Sequence, residues 1–212
     1  MEKTYLELVR RIRFAVREKA QEIPKFRNEG NGAIRILAYP CCKEADVWLG
    51  GLSVFGRELN PFTGTTRGSN DIVDYEHTFA ITAGGSRVMT GVWDGVEQRV
   101  DCYAYSALKI AHCSRAQDLG AGLISGIDLN DPYLTEDNGY SSHLGALCVE
   151  VMRGHTPSDF CGIYVCVSGA DSKDDLKCAF AAVDVIKEFF ASETDKFKFN
   201  IPEFPAELGH DQ

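Results

Sequence analysis

The chain has 212 residues, of which 44% are hydrophobic and 25% are charged. This composition suits one globular domain and excludes a fibrous or disordered chain. The formal net charge of −9 argues against nucleic acid as a partner, because duplex binding needs clustered Lys and Arg.

The N-terminal residues and the eight cysteines are the features that indicate the cellular compartment. Met1–Leu8 carries charges where a signal peptide has an apolar core. No run reaches the roughly 18 apolar residues that suggest a membrane span. We therefore expect a cytoplasmic protein with reduced thiols and no membrane partner.

The first predicted element is a helix. Apolar residues recur at three- and four-residue spacing from Tyr5 to Ala20, which indicates an amphipathic helix that ends before Pro24. It carries the basic cluster 10–13 together with Arg17. A solvated helix face is the favoured interpretation of this cluster, and an anion-binding or membrane surface is the alternative.

A strand and a pair of thiols come next. The turn cluster 28–32 precedes a predicted strand at Ala33–Tyr39, which Pro40 closes. The adjacent residues Cys41 and Cys42 follow this strand, and a redox, metal-binding or nucleophilic role competes there with a structural one. A second apolar run spans Val47–Phe55.

The loop Gly56–Asn70 is rich in Gly, Thr, Asn and Pro. Long loops in compact domains are often functional. Thr65, Thr66 and Arg67 are candidates for holding a phosphate or carboxylate, because turn amides and a guanidinium suit anions. The loop lacks the Gly-Lys-Ser/Thr ending of a nucleotide P-loop, so a flexible connection is the alternative.

Mixed patterns occupy the middle of the chain. Tyr75–Ala83 and Ser86–Trp93 suggest two strands around a tight Gly84-Gly85 turn. Apolar positions from Val96 to Cys113 have helical spacing, so His112 is expected near a helix C-terminus, where an imidazolium complements the dipole. The acidic run 127–138 does not match a calcium loop.

The last third is the best specified unit. Two β-prone runs are joined by Arg153–Asp159, and the second leads through Ser168-Gly169-Ala170 into a helix with acidic residues in its first turn. Amides at this helix N-terminus suit an anion such as a propionate, which makes Ser168 and Gly169 candidate ligand contacts. A turn explained by capping alone is the alternative.

Domain organisation follows from these elements. We expect one α/β domain over residues 1–191, with an inserted loop near 56–70, and a tail over 192–212. The tail spaces four apolar residues between prolines, so we expect it to pack on its own domain or on a neighbouring subunit. These residues are Phe197, Phe199, Ile201 and Phe204.

Two motifs in the last third resemble the HbpS/GlcG-like family, which includes haem-binding domains and domains fused to corrinoid enzymes. They are Ser142-His143-Leu144-Gly145-Ala146 before one strand, and Val165–Ala170 with Asp174-Asp175 after the next. Leu144 and Leu147 depart from the Gly-Gly-x-Pro segment of that family. The resemblance implies a profilin-like α/β (α+β) sandwich, with a mainly antiparallel sheet of about five strands flanked by helices. It also implies a symmetric homo-oligomer that binds haem or another small ligand.

Histidine supplies the main candidate chemistry. His143, just before a predicted strand, suits haem iron or proton transfer, although a hydrogen bond to a nearby carbonyl is the simpler role. A metal site built from His77, His112 and His143 is an alternative, but no spacing places two of them on one helical face.

Three functional hypotheses follow. The first is an oligomeric small-ligand-binding protein, with haem or a related tetrapyrrole as the ligand. The second is a small-molecule enzyme that uses Cys41, Cys42 or a histidine, with the loop 56–70 as a lid. The third is a structural assembly protein whose Phe-rich tail forms the interface.

Overall fold

The structure is a computed structural model. It describes residues 5–40, 73–75, 88–93, 95–118, 123–126, 138, 141, 143–153, 160–191 and 197–208. Helix α1 (Tyr5–Glu22) confirms the predicted N-terminal helix and ends before Pro24. Pro24 then opens a short second helix, α2 (Pro24–Glu29), which Gly30 ends in a left-handed conformation.

A five-stranded antiparallel sheet forms the centre of the fold. Helices flank it, which confirms the predicted α+β class with an antiparallel sheet of about five strands. Its strands are β1 (Ala33–Pro40), β2 (Val73–Tyr75), β5 (Ala146–Arg153), β6 (Phe160–Ser168) and β7 (Phe197–Asn200). Across the sheet they lie in the order β2-β1-β6-β5-β7.

Alternation along the strands gives the sheet two buried faces. One face packs on α1 and on the C-terminal helix α4 (Ser172–Phe190). The other face packs on the central helix α3 (Cys102–Asp118). The first face carries Ile34, Ile36, Leu147, Val149, Val151, Ile163, Val165 and Val167. The second carries Ala146, Cys148, Tyr164 and Cys166.

The central helix begins later than its apolar spacing suggests. Residues 96–101 form strand β4 (Val96–Asp101), which pairs with β3 (Val88–Trp93) across a turn at Gly95. The Asp101 carboxylate accepts hydrogen bonds from the amides of Tyr103 and Ala104, at 3.0 and 3.3 Å. This cap fixes the start of α3 at Cys102, so the prediction of a helix from Val96 was wrong.

The described part of the tail, residues 197–208, packs against the sheet and the helices of its own chain. Strand β7 pairs with the edge of β5, and a 3₁₀ turn follows at Ala206–Leu208. Phe199 and Phe204 pack against the core, and the Phe204 ring meets Phe180 edge-on at 5.2 Å. The segment therefore extends the sheet and covers part of α4.

Several predictions fall on residues that the structure does not describe. They are the run 47–55, the loop 56–70, the Gly84-Gly85 turn, His77 and nearly all of the acidic run 127–138. In the described part of the chain, no helix combines the length and the apolar character needed to cross a membrane.

Candidate functional site

A buried ion pair joins α3 to α4. Lys109 Nζ donates a hydrogen bond to Asp175 Oδ2 at 2.7 Å, and the two side chains are 3% and 2% exposed. The same ammonium donates to the Val167 carbonyl at 3.3 Å. The other carboxylate oxygen accepts the Ala170 amide at 2.9 Å. Such bonds are needed here, because a buried charge is costly unless it is paired and hydrogen-bonded.

Gly145 leaves the space in which this pair forms. A Cβ at Gly145 would lie 2.6 Å from the Val167 carbonyl oxygen, 2.8 Å from Lys109 Nζ and 2.9 Å from the Asp175 Cβ. Its φ of +127° is one that residues with a side chain rarely adopt. The glycine of the His-Leu-Gly motif thus lets a lysine on one side of the sheet reach an aspartate on the other side.

The buried position of Asp175 changes the pKa of its carboxyl group. Burial raises the pKa of Asp175 to about 6 from its usual 3.8, and Lys109 and backbone amides limit the rise. The folded chain therefore binds this proton more strongly than the unfolded chain. Ionisation of Asp175 accordingly lowers the stability as pH rises from 3.8 to about 6.

A second group of residues, the His143 cluster, consists of the half-buried Tyr105, the fully buried Ser141 and the exposed His143. The Ser141 hydroxyl donates to the Tyr105 hydroxyl at 2.9 Å, and the His143 amide donates to Ser141 Oγ at 3.3 Å. The exposed His143 ring lies 6.0 Å from the Tyr105 ring, centroid to centroid. Lys109 Nζ lies 5.8 Å from the centroid of the same tyrosine ring. Tyr105 therefore lies near both an exposed imidazole and the buried ammonium.

His112 occupies a different environment from His143. It is 1% exposed and lies inside α3, which continues to Asp118, so the predicted position at a helix C-terminus was wrong. Burial lowers the pKa of His112, and its Nδ1 has no hydrogen-bond partner among the described residues. His112 lies two turns, or about 10 Å, along α3 from Tyr105. This enclosed ring is therefore not part of the His143 cluster.

The Ser168-Gly169-Ala170 turn already binds an anionic group of this chain, the Asp175 carboxylate. The amides of Gly169 and Ala170 donate to the Asp175 carboxylate, which occupies the place that the sequence suggested for a ligand. Ser168 is 4% exposed and pairs with Ala33 at the end of β6. A Cβ at Gly169 would lie 2.6 Å from the Gly32 Cα. This glycine is therefore required by the close approach of the turn before β1.

The described thiols are buried. Burial raises the pKa of Cys102 to about 11 and that of Cys166 to about 12, and it raises those of Cys113 and Cys178 as well. Since the thiolate is the reactive form, these cysteines are poor nucleophiles. Cys148, Cys166 and Cys178 are buried and act as small hydrophobes.

The remaining candidates lie outside the described residues. They are Cys41, Cys42, Thr65, Thr66 and Arg67. Among the residues with a described position, no group of three His, Cys, Asp or Glu side chains is placed to hold a metal ion.

An open groove of about 850 Å³ runs between α1, α4 and the C-terminal segment. Apolar side chains, including Phe180 and Phe204, line part of it. The lysines on its rim lie beside carboxylates, namely Lys19 with Glu22, Lys177 with Asp174, and Lys187 with Asp184. The rim has no excess charge that would select a ligand.

Sequence reasoning missed both members of the buried pair. The first turn of α4 contains two acidic residues, Asp174 and Asp175, and the sequence does not show that only Asp175 is buried. A lysine among the small and apolar residues of α3 was the available signal. Its significance depends on a partner 66 residues away in the sequence.

The chain matches no protein-family model, no curated protein and no solved structure. The resemblance to the HbpS/GlcG-like family therefore stays a prediction.

Proposed function

We propose that this chain is a small-ligand-binding protein and that its ligand contacts His143. The observation that carries the proposal is the exposed imidazole of His143 beside the Tyr105 ring, in a turn that Ser141 stabilises. An accessible neutral imidazole can coordinate a metal centre or exchange a proton. The adjacent aromatic ring offers a face against which a planar ligand can stack.

A tetrapyrrole is the first ligand class to test. His143 is the residue that would coordinate haem iron, and Tyr105 would contact the ring. Lys109 is paired with Asp175, and the amides of Gly169 and Ala170 are used by the same carboxylate. The propionates would therefore need contacts other than these three groups.

Titration with hemin tests this proposal. Purified wild-type protein is expected to shift the Soret band at micromolar hemin, and His143→Ala to weaken the affinity at least about tenfold, since coordination to iron is lost. Lys198→Ala, a substitution at an exposed position of β7, is the control and should titrate like the wild type. Iron-free protoporphyrin separates the two contacts, because stacking on Tyr105 persists without iron whereas coordination does not. An unchanged hemin spectrum, or equal affinities for wild type and His143→Ala, would reject the proposal.

A homo-oligomer is a second part of the proposal, and the β3–β4 hairpin supports it. Val92 and Val96 are 69% and 58% exposed, and the register places them on opposite faces of the ribbon. Among the described residues this ribbon pairs only with itself. Two-stranded ribbons are marginal in water, so packing of other copies of the chain against the two faces would cover these valines and stabilise the hairpin.

Light scattering measures this assembly. The wild type is expected to have the mass of an oligomer, and the double variant Val92→Lys/Val96→Lys to have a smaller mass, because two buried charges oppose association. The double variant Ala191→Lys/Ala206→Lys adds the same charge at other exposed positions and should retain the wild-type mass. A monomeric wild type would contradict the proposal, as would an unchanged mass in the valine variant.

A further inference from the structure

His112 is a buried side chain whose hydrogen-bonding capacity is not satisfied. It is 1% exposed, and its Nδ1 makes no hydrogen bond within the described part of the chain. Native structures retain few buried polar atoms of this kind, because each loses its water without gaining a partner. A phenylalanine would fill a similar space without this cost, so packing alone does not account for the imidazole.

Charged groups fix the first half of α3. The Asp101 carboxylate caps the first turn, and Arg35 of β1 donates a hydrogen bond to the Tyr103 carbonyl at 3.3 Å. Lys109 forms the buried ion pair with α4. Hydrogen bonds that involve a charged group are stronger than those between neutral groups, so this half of the helix is firmly held.

The second half of α3 is held by neutral groups in the part of the chain that is described. The Cys113 thiol donates to the Leu123 carbonyl at 3.2 Å, and Ser114 is hydrogen-bonded to Tyr164 of β6. Apolar packing on the sheet adds to these contacts. Segments with fewer strong contacts open at lower free energy, so α3 separates most easily from the turn of His112 onward.

The turn of α3 that contains His112 also holds the His143 cluster. The Ser141 amide donates to the Leu108 carbonyl at 3.1 Å. In an α-helix this carbonyl is also the acceptor for the amide of residue 112, so Ser141 and His112 are bonded to the same atom. The Ser141 hydroxyl in turn accepts the His143 amide. Opening of this turn would therefore release the segment that presents the His143 ring.

Burial, and not a charged neighbour, is the cause of the shifted pKa of His112. Lys109 lies one turn away on α3, where it is paired with Asp175. Other elements that pack on α3 contribute further titratable or charged side chains to the described part of the chain. They are Asp101 of β4, Arg35 of β1, Cys148 and Glu150 of β5, and Tyr164 and Cys166 of β6.

Protonation of His112 favours the open form of the turn. Burial lowers the pKa of His112 below 6.5, so the open form binds the proton more strongly than the closed form. The closed form is therefore most stable well above pH 6.5 and loses stability as pH falls below that value. This sign is opposite to that of Asp175, whose ionisation lowers stability as pH rises to about 6.

We propose that His112 is a pH-sensitive switch for the His143 cluster: its protonation opens the turn 108–112 of α3 and releases Ser141, so that a ligand held at His143 leaves in mildly acidic solution. The ligand step rests on the proposed function at His143, whereas the opening of α3 does not. His112 lies about 10 Å along α3 from Tyr105 and acts through the helix, so it is a positioning residue.

Hydrogen exchange measured by mass spectrometry tests the opening without a ligand. After correction for the intrinsic pH dependence of exchange, peptides that contain residues 108–118 or Ser141 should lose protection about three- to tenfold from about pH 7.5 to about pH 5.5. One pH unit below 6.5 limits the gain of the open form to about tenfold. The C-terminal half of α4, residues 183–190, is the internal control and should keep its protection.

His112→Phe removes the titrating group and keeps a ring of similar size. Protection of α3 in this variant should be the same at both pH values. Hemin is the probe for the ligand step, and the wild type should lose at least about threefold more affinity than His112→Phe over the same pH range, because titration of His143 is common to both. If circular dichroism shows that His112→Phe is unfolded, His112→Gln replaces it and must also abolish the pH response.

Three exchange results would overturn the switch. They are unchanged protection of α3 at low pH, the same acid response in the wild type and the His112 variant, and an equal response in α4, which would mean global unfolding. If hemin binds at neutral pH but both proteins lose affinity equally, the link from His112 to His143 is wrong. Absence of hemin binding at every pH rejects the proposed function alone, and the exchange data still decide whether His112 opens α3.

Discussion

Replacement of Lys109 by methionine is expected to lower the free energy of unfolding by about 3–5 kcal/mol. Methionine has a similar length, so little packing is lost. The loss comes from Asp175, whose carboxylate stays buried and loses its cation. Urea denaturation at neutral pH measures the difference.

Two further variants separate the charge effect from other causes. Lys109→Met/Asp175→Asn removes both charges and keeps an acceptor for the Ala170 amide, so it should be more stable than Lys109→Met alone. Lys25→Met removes a lysine whose exposed partner is Glu29, and it should change stability by less than about 1 kcal/mol. A double variant no more stable than the single one would show that the pair is not coupled as described.

The single variant should also respond to pH. Without the Lys109 charge, the pKa of Asp175 is expected to rise above the value of about 6 in the wild type. Stability of Lys109→Met should therefore fall more steeply than that of the wild type as pH rises from mildly acidic to neutral.

Gly145→Ala is expected to cost about 2–5 kcal/mol, from roughly 1–2 of backbone strain and roughly 1–3 of overpacking. The new methyl group would meet the Val167 carbonyl and Lys109 Nζ, both closer than 3.0 Å. Relief of the second contact would move the ammonium away from Asp175. Urea denaturation again gives the magnitude.

Gly95→Ala is the matched control for this substitution. Gly95 also has a positive φ, +77°, but a Cβ there meets nothing within 4 Å. Gly95→Ala should therefore lower the free energy of unfolding by about 1–2 kcal/mol, from backbone strain alone. Equal losses for the two alanine variants would mean that crowding at Gly145 contributes nothing.

Local patterns predicted the parts of the fold that depend on neighbours in sequence. Helix α1 has an unbroken apolar stripe, and the β5–β6 hairpin has a clear polar turn between two β-prone runs. The β3–β4 hairpin was missed because Val96 and Val100 are four residues apart, a spacing that also suits a helix. The Asp101 carboxylate caps α3 and so separates strand β4 from the helix that follows. The sequence analysis did not recognise this residue as the start of the helix.

The candidate site was predictable only in part. His143 was identified from its position before a strand, and it is exposed beside Tyr105. The contact with Tyr105 could not be deduced, because it depends on how α3 packs on the sheet. The same is true of the contact between Lys109 and Asp175, since the sequence around either residue does not identify a partner 66 residues away.

The position of Gly145 has a consequence for how the chain selects its native pairing. The Val167 amide donates to the Gly145 carbonyl at 2.9 Å, next to the register pair Ala146↔Cys166. A slip of β5 by one residue would place Leu144 or Ala146 where Gly145 now lies, and either side chain would fill the space that Lys109 needs. The mispaired hairpin would then bury Asp175 without its cation. The absence of a side chain at Gly145 thus couples the register of β5 and β6 to the ion pair that joins α3 and α4. Misregistered forms of the hairpin are destabilised by the unpaired charge of Asp175.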